Sequence, residues 1–307
     1  MPVSKCEKRG RLEDMRLNTP LKLPKTVARW VLSWITSPQA VHLIGEPIFW
    51  LGGQRRSRKE FVLCRVKRVL VVRLDEIGDV VMTAPFLREL RRNLPHAWIT
   101  LVVQPQVFNL VELCPYTNEV LTYDWKTKGH FPELRLHARA LWLAFRHLWP
   151  CKFDLAILPR WGADYCHGTL IAYWSGAARQ IGYSGSCDDR FLTHVLTDHT
   201  LRHEVEHNLD VIRYLGGTVR EDHLELWTGN EDDVFAEGVL SSRGSHTRDL
   251  VVALGVGALH DRRRWPIYRF VDVGQWLVKE YNARLLVLGG GDEEHLGKEF
   301  QQIGSEV

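Results

Sequence analysis

From residue 68 onward the chain alternates between short β-branched runs and longer stretches in which apolar residues recur at helical spacing. This alternation is typical of βαβ units, which form a mostly parallel sheet with helices on both faces. The sequence therefore predicts an α/β fold. The predicted strands of the first unit are 68–74, 98–103, 119–123, 153–158 and 179–183, and the predicted helices are 80–93, 107–113, 133–149, 163–174 and 204–215.

A second unit of the same kind begins near residue 250. Its predicted strands are 250–254 and 284–288, with a helix between them at 267–281. A doubly wound nucleotide-binding domain usually has five or six strands, and two strands alone would have bare edges and uncovered apolar faces. We therefore expect a fragment or a prematurely ended reading frame. The expected parts are a basic extension over 1–65, a first α/β domain over 66–246 and an incomplete second domain over 247–307.

Composition excludes several classes of protein. Apolar residues make up 45% and charged residues 25% of the chain, which is ordinary for a globular protein. No window approaches the roughly 18 consecutive apolar residues of a membrane-spanning helix, and the charged N-terminus is unlike a secretory signal. The six cysteines are irregularly spaced, without a Cys-x-x-Cys pair. This spacing favours reduced thiols in a cytosolic protein over a disulfide framework or a zinc ribbon.

The N-terminal part carries most of the positive charge. Residues 1–68 contain 15 lysines and arginines but only 5 aspartates and glutamates, although the whole chain has a net charge of only +3. Apolar residues at helical spacing occupy 27–35, and aromatic residues continue to Phe49 and Trp50. Two interpretations are open. A tryptophan-bearing face beside arginines suits the headgroup layer of an anionic membrane, and the same spacing suits a helix that packs on the domain behind it.

Charged residues and a glycine follow the first predicted strand, in the segment Arg73-Leu-Asp-Glu-Ile-Gly-Asp79. Ligands of open α/β sheets bind outside the carboxyl ends of the strands, where the strand order reverses. Gly78 would permit a tight turn there. Asp79 falls at the start of the predicted helix 80–93, where its carboxylate could cap the helix or face a ligand. Both interpretations are open.

A glycine- and arginine-rich loop, Gly255-Val-Gly-Ala-Leu-His-Asp-Arg-Arg-Arg-Trp-Pro266, connects a predicted strand to the helix at 267–281. Free backbone N–H groups at such a helix start suit a phosphate, and the arginines offer bidentate donors for a diphosphate. A solvated basic loop is the alternative. The segment Gly289-Gly-Gly-Asp-Glu-Glu294 makes a similar turn, and its acidic residues could bind ribose hydroxyls or cap the next helix.

The segment His203-Glu-Val-Glu-His207 matches the His-Glu-x-x-His pattern of zinc proteases. A catalytic zinc needs a third protein ligand, and no later segment supplies one that we recognise. We therefore expect no zinc site here. A nicotinamide-dependent oxidoreductase is also disfavoured, because no Gly-x-Gly-x-x-Gly follows the first predicted strand.

Taken together, these segments resemble glycosyltransferase family 9, the heptosyltransferase-like enzymes of bacterial lipopolysaccharide core assembly. The resemblance covers residues 66–300. It depends on the ordered segments RVLVVRLDEIGDVVMTAPFLRELRRNLPHAWITLVV, WSGAARQIGYS, HEVEHNLDVIRYLGG, VVALGVGALHDRRRWPIYRFVDVGQWL and LLVLGGGDEE. An Asp-Ser-Gly-Pro-x-His-like segment that lines the donor site in relatives does not occur in this chain.

The resemblance implies a GT-B architecture, in which two Rossmann-like domains face each other across a cleft, the C-terminal one being incomplete here. It implies an inverting enzyme that needs no metal, with Asp79 as the general base. Acceptor contacts are expected at Arg73 and Gly78. Donor contacts are expected in the C-terminal domain, at Gly255, Gly257, Arg263, Arg264, Glu293 and Glu294, with Arg263 at a position where relatives often carry lysine.

The leading hypothesis is thus a transferase that moves a sugar, heptose being the family's best-known choice, from a nucleotide-sugar such as ADP-heptose to a lipopolysaccharide-core-type glycolipid. The expected place of work is the cytoplasm, with peripheral contact at the inner membrane and no nucleic-acid partner. The alternative is a truncated, catalytically inactive binding module that keeps only the acceptor-side domain.

Overall fold

The computed structural model describes residues 34, 36–53, 55–125, 132–162, 166–185, 188–198, 200–241, 250–258 and 260–305. Apart from Trp34, the apolar segment at 27–35 lies outside the described residues. The chain forms two compact units, Met1–Thr228 and Gly229–Val307. The first boundary predicted at 65/66 and the second at 246/247 stay predictions.

The first unit is built on a six-stranded sheet in which every strand pairs in parallel with its neighbours, in the order β3-β2-β1-β4-β5-β6. This is the doubly wound order, which confirms the predicted α/β class. The strands are β1 Arg68–Arg73, β2 Trp98–Val103, β3 Glu119–Thr122, β4 Leu155–Ile157, β5 Arg179–Tyr183 and β6 His194–Leu196.

The central strand β1 shows why the sheet is covered on both sides. Its side chains alternate between two hydrophobic clusters: Val69 and Val71 belong to one, and Leu70 and Val72 belong to the other. All four residues are buried. A strand that is apolar on both faces must lie between two layers of helices.

Seven helices of the first unit lie within the described residues. Helix α7 ends at Tyr214, and Gly216 follows it with a left-handed φ of +78°. Helix α5 continues through a π-turn at Ala144–Leu148 and a short 3₁₀ turn at Trp149–Cys151. The helices are α1 Pro38–Leu51, α2 Ile77–Val81, α3 Ala84–Asn93, α4 Phe108–Val111, α5 Pro132–Leu143, α6 His167–Trp174 and α7 Glu204–Tyr214.

The single helix predicted at 80–93 is wrong, because the structure has two helices, α2 and α3, with a break at Met82 and Thr83. Pro85 has no backbone N–H, so it cannot donate the hydrogen bond that would continue α2. The Thr83 hydroxyl instead donates to the carbonyl oxygen of Asp79 at 2.8 Å. Helix α2 begins at Ile77, earlier than the predicted start at residue 80.

Helix α1 packs on the first unit. Val41 and Phe49 are buried, and the Phe49 ring meets the Tyr173 ring edge-on, with centroids 5.1 Å apart. Gly45 allows the close approach to α6, because a Cβ at this position would lie 2.7 Å from Tyr173 Cε1. For residues 38–51, the structure thus supports the interpretation of a helix that packs on the domain.

The second unit contains a two-stranded parallel sheet with a small core of Leu254, Val256 and Leu296. The predicted helix 267–281 and strand 284–288 agree with the structure at both ends, whereas the helix α8 was not predicted. The elements are α8 Asn230–Ser241, β7 Val251–Gly255, α9 Ile267–Tyr281, β8 Arg284–Leu288 and α10 Glu294–Ser305.

The cysteines differ in state. Cys64, Cys114 and Cys151 are free thiols, but Cys166 is disulfide-bonded. The expectation of reduced thiols is therefore wrong for Cys166. Sequence spacing gave no sign of this bond, because a disulfide depends on which cysteines the fold brings within about 7 Å of each other.

Candidate active site

The carboxyl ends of β1 and β4 define the candidate site of the first unit. These two strands are neighbours at the centre of the sheet, where the chain changes direction from β1-β2-β3 to β4-β5-β6. Loops that leave such neighbouring strands turn to opposite sides, and the crevice between them is the usual ligand site. The loop after β1 carries Asp75 and Asp79, and the loop after β4 carries Arg160 and Trp161.

Asp75 lies at the floor of this loop and is paired with two arginines. Arg73 Nε lies 2.8 Å from Asp75 Oδ2, and Arg160 Nη1 donates a short hydrogen bond to Asp75 Oδ1. Asp75 is buried, whereas Arg160 is partly exposed. Arginine nitrogens thus contact both oxygens of this buried carboxylate.

Arg73 extends the same network to helix α7. Its Nη2 donates to Glu204 Oε1 at 2.8 Å, and its Nη1 lies 3.4 Å from Asn208 Oδ1. Asn208 in turn donates from Nδ2 to the carbonyl oxygen of Met82, beyond α2. The Arg73 side chain is only 1% exposed. The acceptor contact at Arg73 stays a prediction, and the burial of Arg73 suits it to positioning the loop.

Asp79 differs from Asp75 in its burial and in its partners. It lies in the first turn of α2, is half-buried, and its carboxylate has no hydrogen-bond or ion-pair partner among the described residues. The cap position before this helix is Glu76, which makes no side-chain capping bond. The interpretation of Asp79 as a helix cap is thus wrong, since the helix starts before it. What is left is a solvent-accessible carboxylate at the ligand edge of the sheet.

Gly78 lies beside Asp79 in the same helical turn. Its φ is not positive, so the expected tight turn that only glycine could make does not exist. A Cβ at this position would meet nothing within 4 Å. The open space next to Gly78 leaves room for a bound molecule to approach the backbone.

The His203 and His207 pair has a structural role. His203 caps helix α7, and its Nδ1 accepts from the N–H of Val205 at 3.3 Å. His207 is buried and its ring stacks on Trp161, with centroids 4.6 Å apart and planes at 7°. Among the described residues no group of three or more His, Cys, Asp or Glu side chains could hold a metal ion.

In the second unit, the predicted glycine-rich turns lie side by side. Gly257 follows β7, Gly290 follows β8, and Glu293 lies against both. The N–H of Gly290 donates to Glu293 Oε2 at 3.1 Å, and a Cβ on Gly257 would overlap the Glu293 carboxylate. An open cleft of about 540 Å³ adjoins them, lined by residues from 287 to 301 and by Val256.

The two candidate glutamates are now distinguishable. Glu293 faces the glycine turns, while Glu294 is on the surface and pairs with Lys298 at 2.9 Å. Gly255 ends β7 and has open space where a Cβ would be. The geometry therefore favours Glu293 as the acidic residue nearest to a ligand bound at these turns.

The arginines of the 255–266 loop differ in exposure and in their contacts. Arg264 is half-buried, pairs with Asp261 at 3.1 Å and donates to the carbonyl oxygen of Ala258 at 3.3 Å. Arg263 is exposed, and its guanidinium has no partner among the described residues. Arg264 thus stabilises the loop, whereas Arg263, like the exposed Arg262, is available to an anion.

Comparison with known proteins places the fold. No protein-family model and no curated protein sequence matches the chain. A solved structure described as glycosyl transferase family 9 from Veillonella parvula is 23% identical, with a TM-score of 0.68 over 80% of this chain and 68% of that one. The chain has the fold of a family 9 glycosyltransferase. This similarity confirms, at the level of the fold, the GT-B class that the motifs predicted.

Two Escherichia coli structures support the same fold. ADP-heptose lipopolysaccharide heptosyltransferase II is 16% identical, with a TM-score of 0.56 over 78% of this chain and 70% of that one. Heptosyltransferase WaaC with ADP-2-deoxy-2-fluoro heptose is 16% identical, with a TM-score of 0.57 over 76% of this chain and 73% of that one.

Among the described residues, no helix is both long and apolar enough to cross a bilayer.

Sequence reasoning missed Asp75, Arg160 and Glu204, although all three are charged residues at or near the ends of elements. The signal that could have found the first two is the presence of charge directly after both central strands.

Proposed function

We propose that this chain is a glycosyltransferase that moves a sugar from a nucleotide-sugar to an acceptor hydroxyl with inversion, using Asp79 as the general base. The observation that carries the proposal is the contrast between the two aspartates of the β1 loop. Asp75 is buried under two arginines, and Asp79 is accessible without a partner among the described residues. Of these two aspartates, Asp79 is the one that a bound hydroxyl can reach.

The proposed step is a direct displacement. The acceptor oxygen attacks the anomeric carbon while its proton passes to the Asp79 carboxylate, and the bond from that carbon to the diphosphate oxygen breaks. The nucleoside diphosphate leaves with the bonding electron pair. General base catalysis of this kind contributes roughly 10²–10⁴-fold in rate.

Arg73 is proposed as a positioning residue for this base. Through Asp75 it holds the first residues of the loop, and through Glu204 and Asn208 it connects that loop to α7. Asn208 also bonds to Met82, which follows the helix of Asp79 directly. The base therefore lies on a segment that is fixed at both ends.

The donor is proposed to bind in the second unit, at the turns of Gly255, Gly257 and Gly290. Glu293 would contact the nucleoside part, and Arg263 would stabilise the negative charge that develops on the leaving diphosphate. ADP-heptose is the donor of choice because ADP-heptose and its fluoro analogue appear in the names of the two E. coli structures. Arg264 is proposed to support this region without contacting the donor, whereas Glu294, which pairs with Lys298, lines the cleft beside Glu293.

The proposed acceptor is a lipopolysaccharide-core-type glycolipid, and the proposed place of work is the cytoplasmic face of the inner membrane. Neither donor nor acceptor requires a metal in this scheme. It uses charge from Arg263 in the role that a divalent cation has in metal-assisted catalysis.

The test is release of ADP from ADP-heptose in the presence of a lipopolysaccharide acceptor that lacks heptose. Asp79→Asn is expected to lower the rate by roughly 10²–10⁴-fold while ADP binding, measured by calorimetry, stays unchanged. Glu76→Gln is the matched control, because Glu76 is an exposed acid of the same loop. It is expected to keep the wild-type rate.

An Asp79→Asn variant with the wild-type rate would remove the base assignment. ADP binding without any turnover in the wild-type chain would instead favour the binding-module alternative.

A further inference from the structure

Helix α1 is apolar on two faces, and only one of them is packed. The inner face, Val41, Gly45 and Phe49, is buried against the first unit. The opposite side, which we name the outer face of α1, is exposed. It consists of Leu43, Ile44, Pro47, Trp50 and Leu51, and the exposed fractions of Leu43, Trp50 and Leu51 are 70%, 63% and 77%.

The outer face cannot turn inward, because α1 is held in one orientation. Arg56, which follows the helix, donates to Glu46 Oε1 at 2.6 Å and to Gln180 Oε1 at 3.0 Å. Its guanidinium also lies over the Tyr173 ring, 4.8 Å from the centroid. The helix is thus fixed from its flank and from its buried face, and the outer face is presented to the surroundings.

Positive charge lies beside this apolar face. Arg55, Arg58 and Lys59 are exposed directly after α1. Burial, followed by the charges of Arg56, Arg190 and Arg58, lowers the pKa of His42, against the opposing effect of Glu46. Arg56 is hydrogen-bonded to Glu46 of α1, which holds the neighbouring Arg55 and Arg58 near the helix.

We propose that the outer face of α1 docks onto an anionic lipid bilayer. Leu43, Trp50 and Leu51 enter the boundary between headgroups and acyl chains, and the cluster of Arg55, Arg58 and Lys59 faces lipid phosphates. The length of α1 argues for this mode, because 14 residues are too few to span a bilayer. An amphipathic segment of this kind lies in the interface plane.

A second copy of the chain fits the same face less well. A symmetric dimer through the outer face would bring two copies of the Arg55, Arg58 and Lys59 cluster together, and like charges in apposition oppose association. An anionic surface instead matches both features of the helix, because apolar burial and charge attraction add in peripheral binding.

The experiment is co-sedimentation of the full chain with vesicles. Binding to an equimolar mixture of phosphatidylglycerol and phosphatidylcholine is expected, with little binding to phosphatidylcholine alone. The double variant L43S/L51S is expected to bind vesicles roughly tenfold or more weakly. Each change to serine removes most of the free energy gained when the leucine side chain leaves water. The matched control L113S/L201S removes two exposed leucines of the same unit elsewhere and is expected to bind as wild type.

Two further measurements identify the surface. The triple variant R55Q/R58Q/K59Q is expected to lose roughly tenfold or more of its binding at low salt. Quenching of tryptophan fluorescence by brominated lipid is expected in the wild type and reduced in Trp50→Phe. Circular dichroism and the unfolding midpoint confirm that each variant is folded.

The proposal is overturned if L43S/L51S, folded as judged by these two measures, binds vesicles as well as its control. It is also overturned if the wild type ignores anionic vesicles, or if it forms dimers that L43S/L51S abolishes. The last outcome would assign the outer face to a second copy of the chain.

Discussion

Arg73 and Asp75, the last residue of β1 and the second residue after it, form a buried ion pair with Nε 2.8 Å from Oδ2. Arg160, from the loop after the neighbouring strand, binds the other carboxylate oxygen. One carboxylate thus joins the ends of the two central strands. This connection fixes the edge of the sheet on which the accessible Asp79 lies.

Asp75→Asn is expected to lower the free energy of unfolding by about 3 kcal/mol, because it leaves two arginines without their counter-charge and Arg73 is buried. Urea unfolding monitored by tryptophan fluorescence measures the loss. Asp79→Asn is the matched control and is expected to change stability by less than about 0.5 kcal/mol. Equal stabilities of the two variants would contradict the structural role of Asp75.

Gly45→Ala is expected to destabilise the protein by about 1–2 kcal/mol. The new Cβ would clash with the Tyr173 hydroxyl and lie 2.7 Å from Tyr173 Cε1, and overpacking of this kind outweighs the better helix propensity of alanine. Thermal unfolding gives the measurement. Gly52→Ala, at the end of the same helix, has its nearest contact at 3.4 Å and is expected to be nearly neutral. Wild-type stability for Gly45→Ala would mean that α1 does not pack as described.

Gly257→Ala is expected to weaken ADP binding roughly tenfold or more if donor binding uses these turns, because a Cβ would displace the Glu293 carboxylate. Isothermal calorimetry with ADP provides the affinity. Gly238→Ala, in helix α8 of the same unit, meets nothing within 4 Å and is expected to bind as wild type. If both variants bind ADP with the same affinity, ADP binding does not depend on the position of the Glu293 carboxylate.

Acid is expected to destabilise the protein partly through His167. Burial, and to a lesser degree Arg160, lowers the pKa of this imidazole from its ordinary value of 6.5. The unfolded chain then takes up the proton more readily, so stability is intact above about pH 6.5 and falls as the pH drops below it. The Nδ1 of His167 is buried without a hydrogen-bond partner, which makes its protonation unfavourable.

The measurement is the free energy of unfolding at pH 7.5 and 5.5, values on either side of the ordinary histidine pKa of about 6.5. His167→Gln is expected to reduce the loss between the two values, whatever it does to stability at neutral pH. His96→Gln, a change at an exposed histidine, is expected to keep the wild-type dependence. An unchanged dependence in His167→Gln would show that another group is responsible.

Much of the fold followed from local pattern. Strands β2, β5 and β8 begin and end where they were predicted. In β2 the reason is burial on both faces, which imposes a continuous apolar sequence. The strand β6 was missed because its three residues, His194–Leu196, carry too little pattern to stand out. Helix α8 was missed because it buries no residue, so tertiary packing imposes no periodicity on it.

The candidate site followed from pattern only in part. Asp79 could be singled out because it is close in sequence to the end of a strand. The role of Arg73 could not, since its partner Glu204 is 131 positions away. Arg160 is likewise 85 positions from Asp75. Which charges meet at the edge of a sheet depends on strand order, and strand order is a property of the whole chain.

The docking of α1 on α6 has a consequence for synthesis on the ribosome. The helix is translated before any strand of the sheet, yet Tyr173 and the turn at 189–191, with which it is in contact, are made more than a hundred residues later. Throughout that interval both its apolar sides are bare. A nascent chain of this kind is exposed to aggregation, and we expect it to need shelter from a chaperone or a lipid surface until the second half of the sheet emerges.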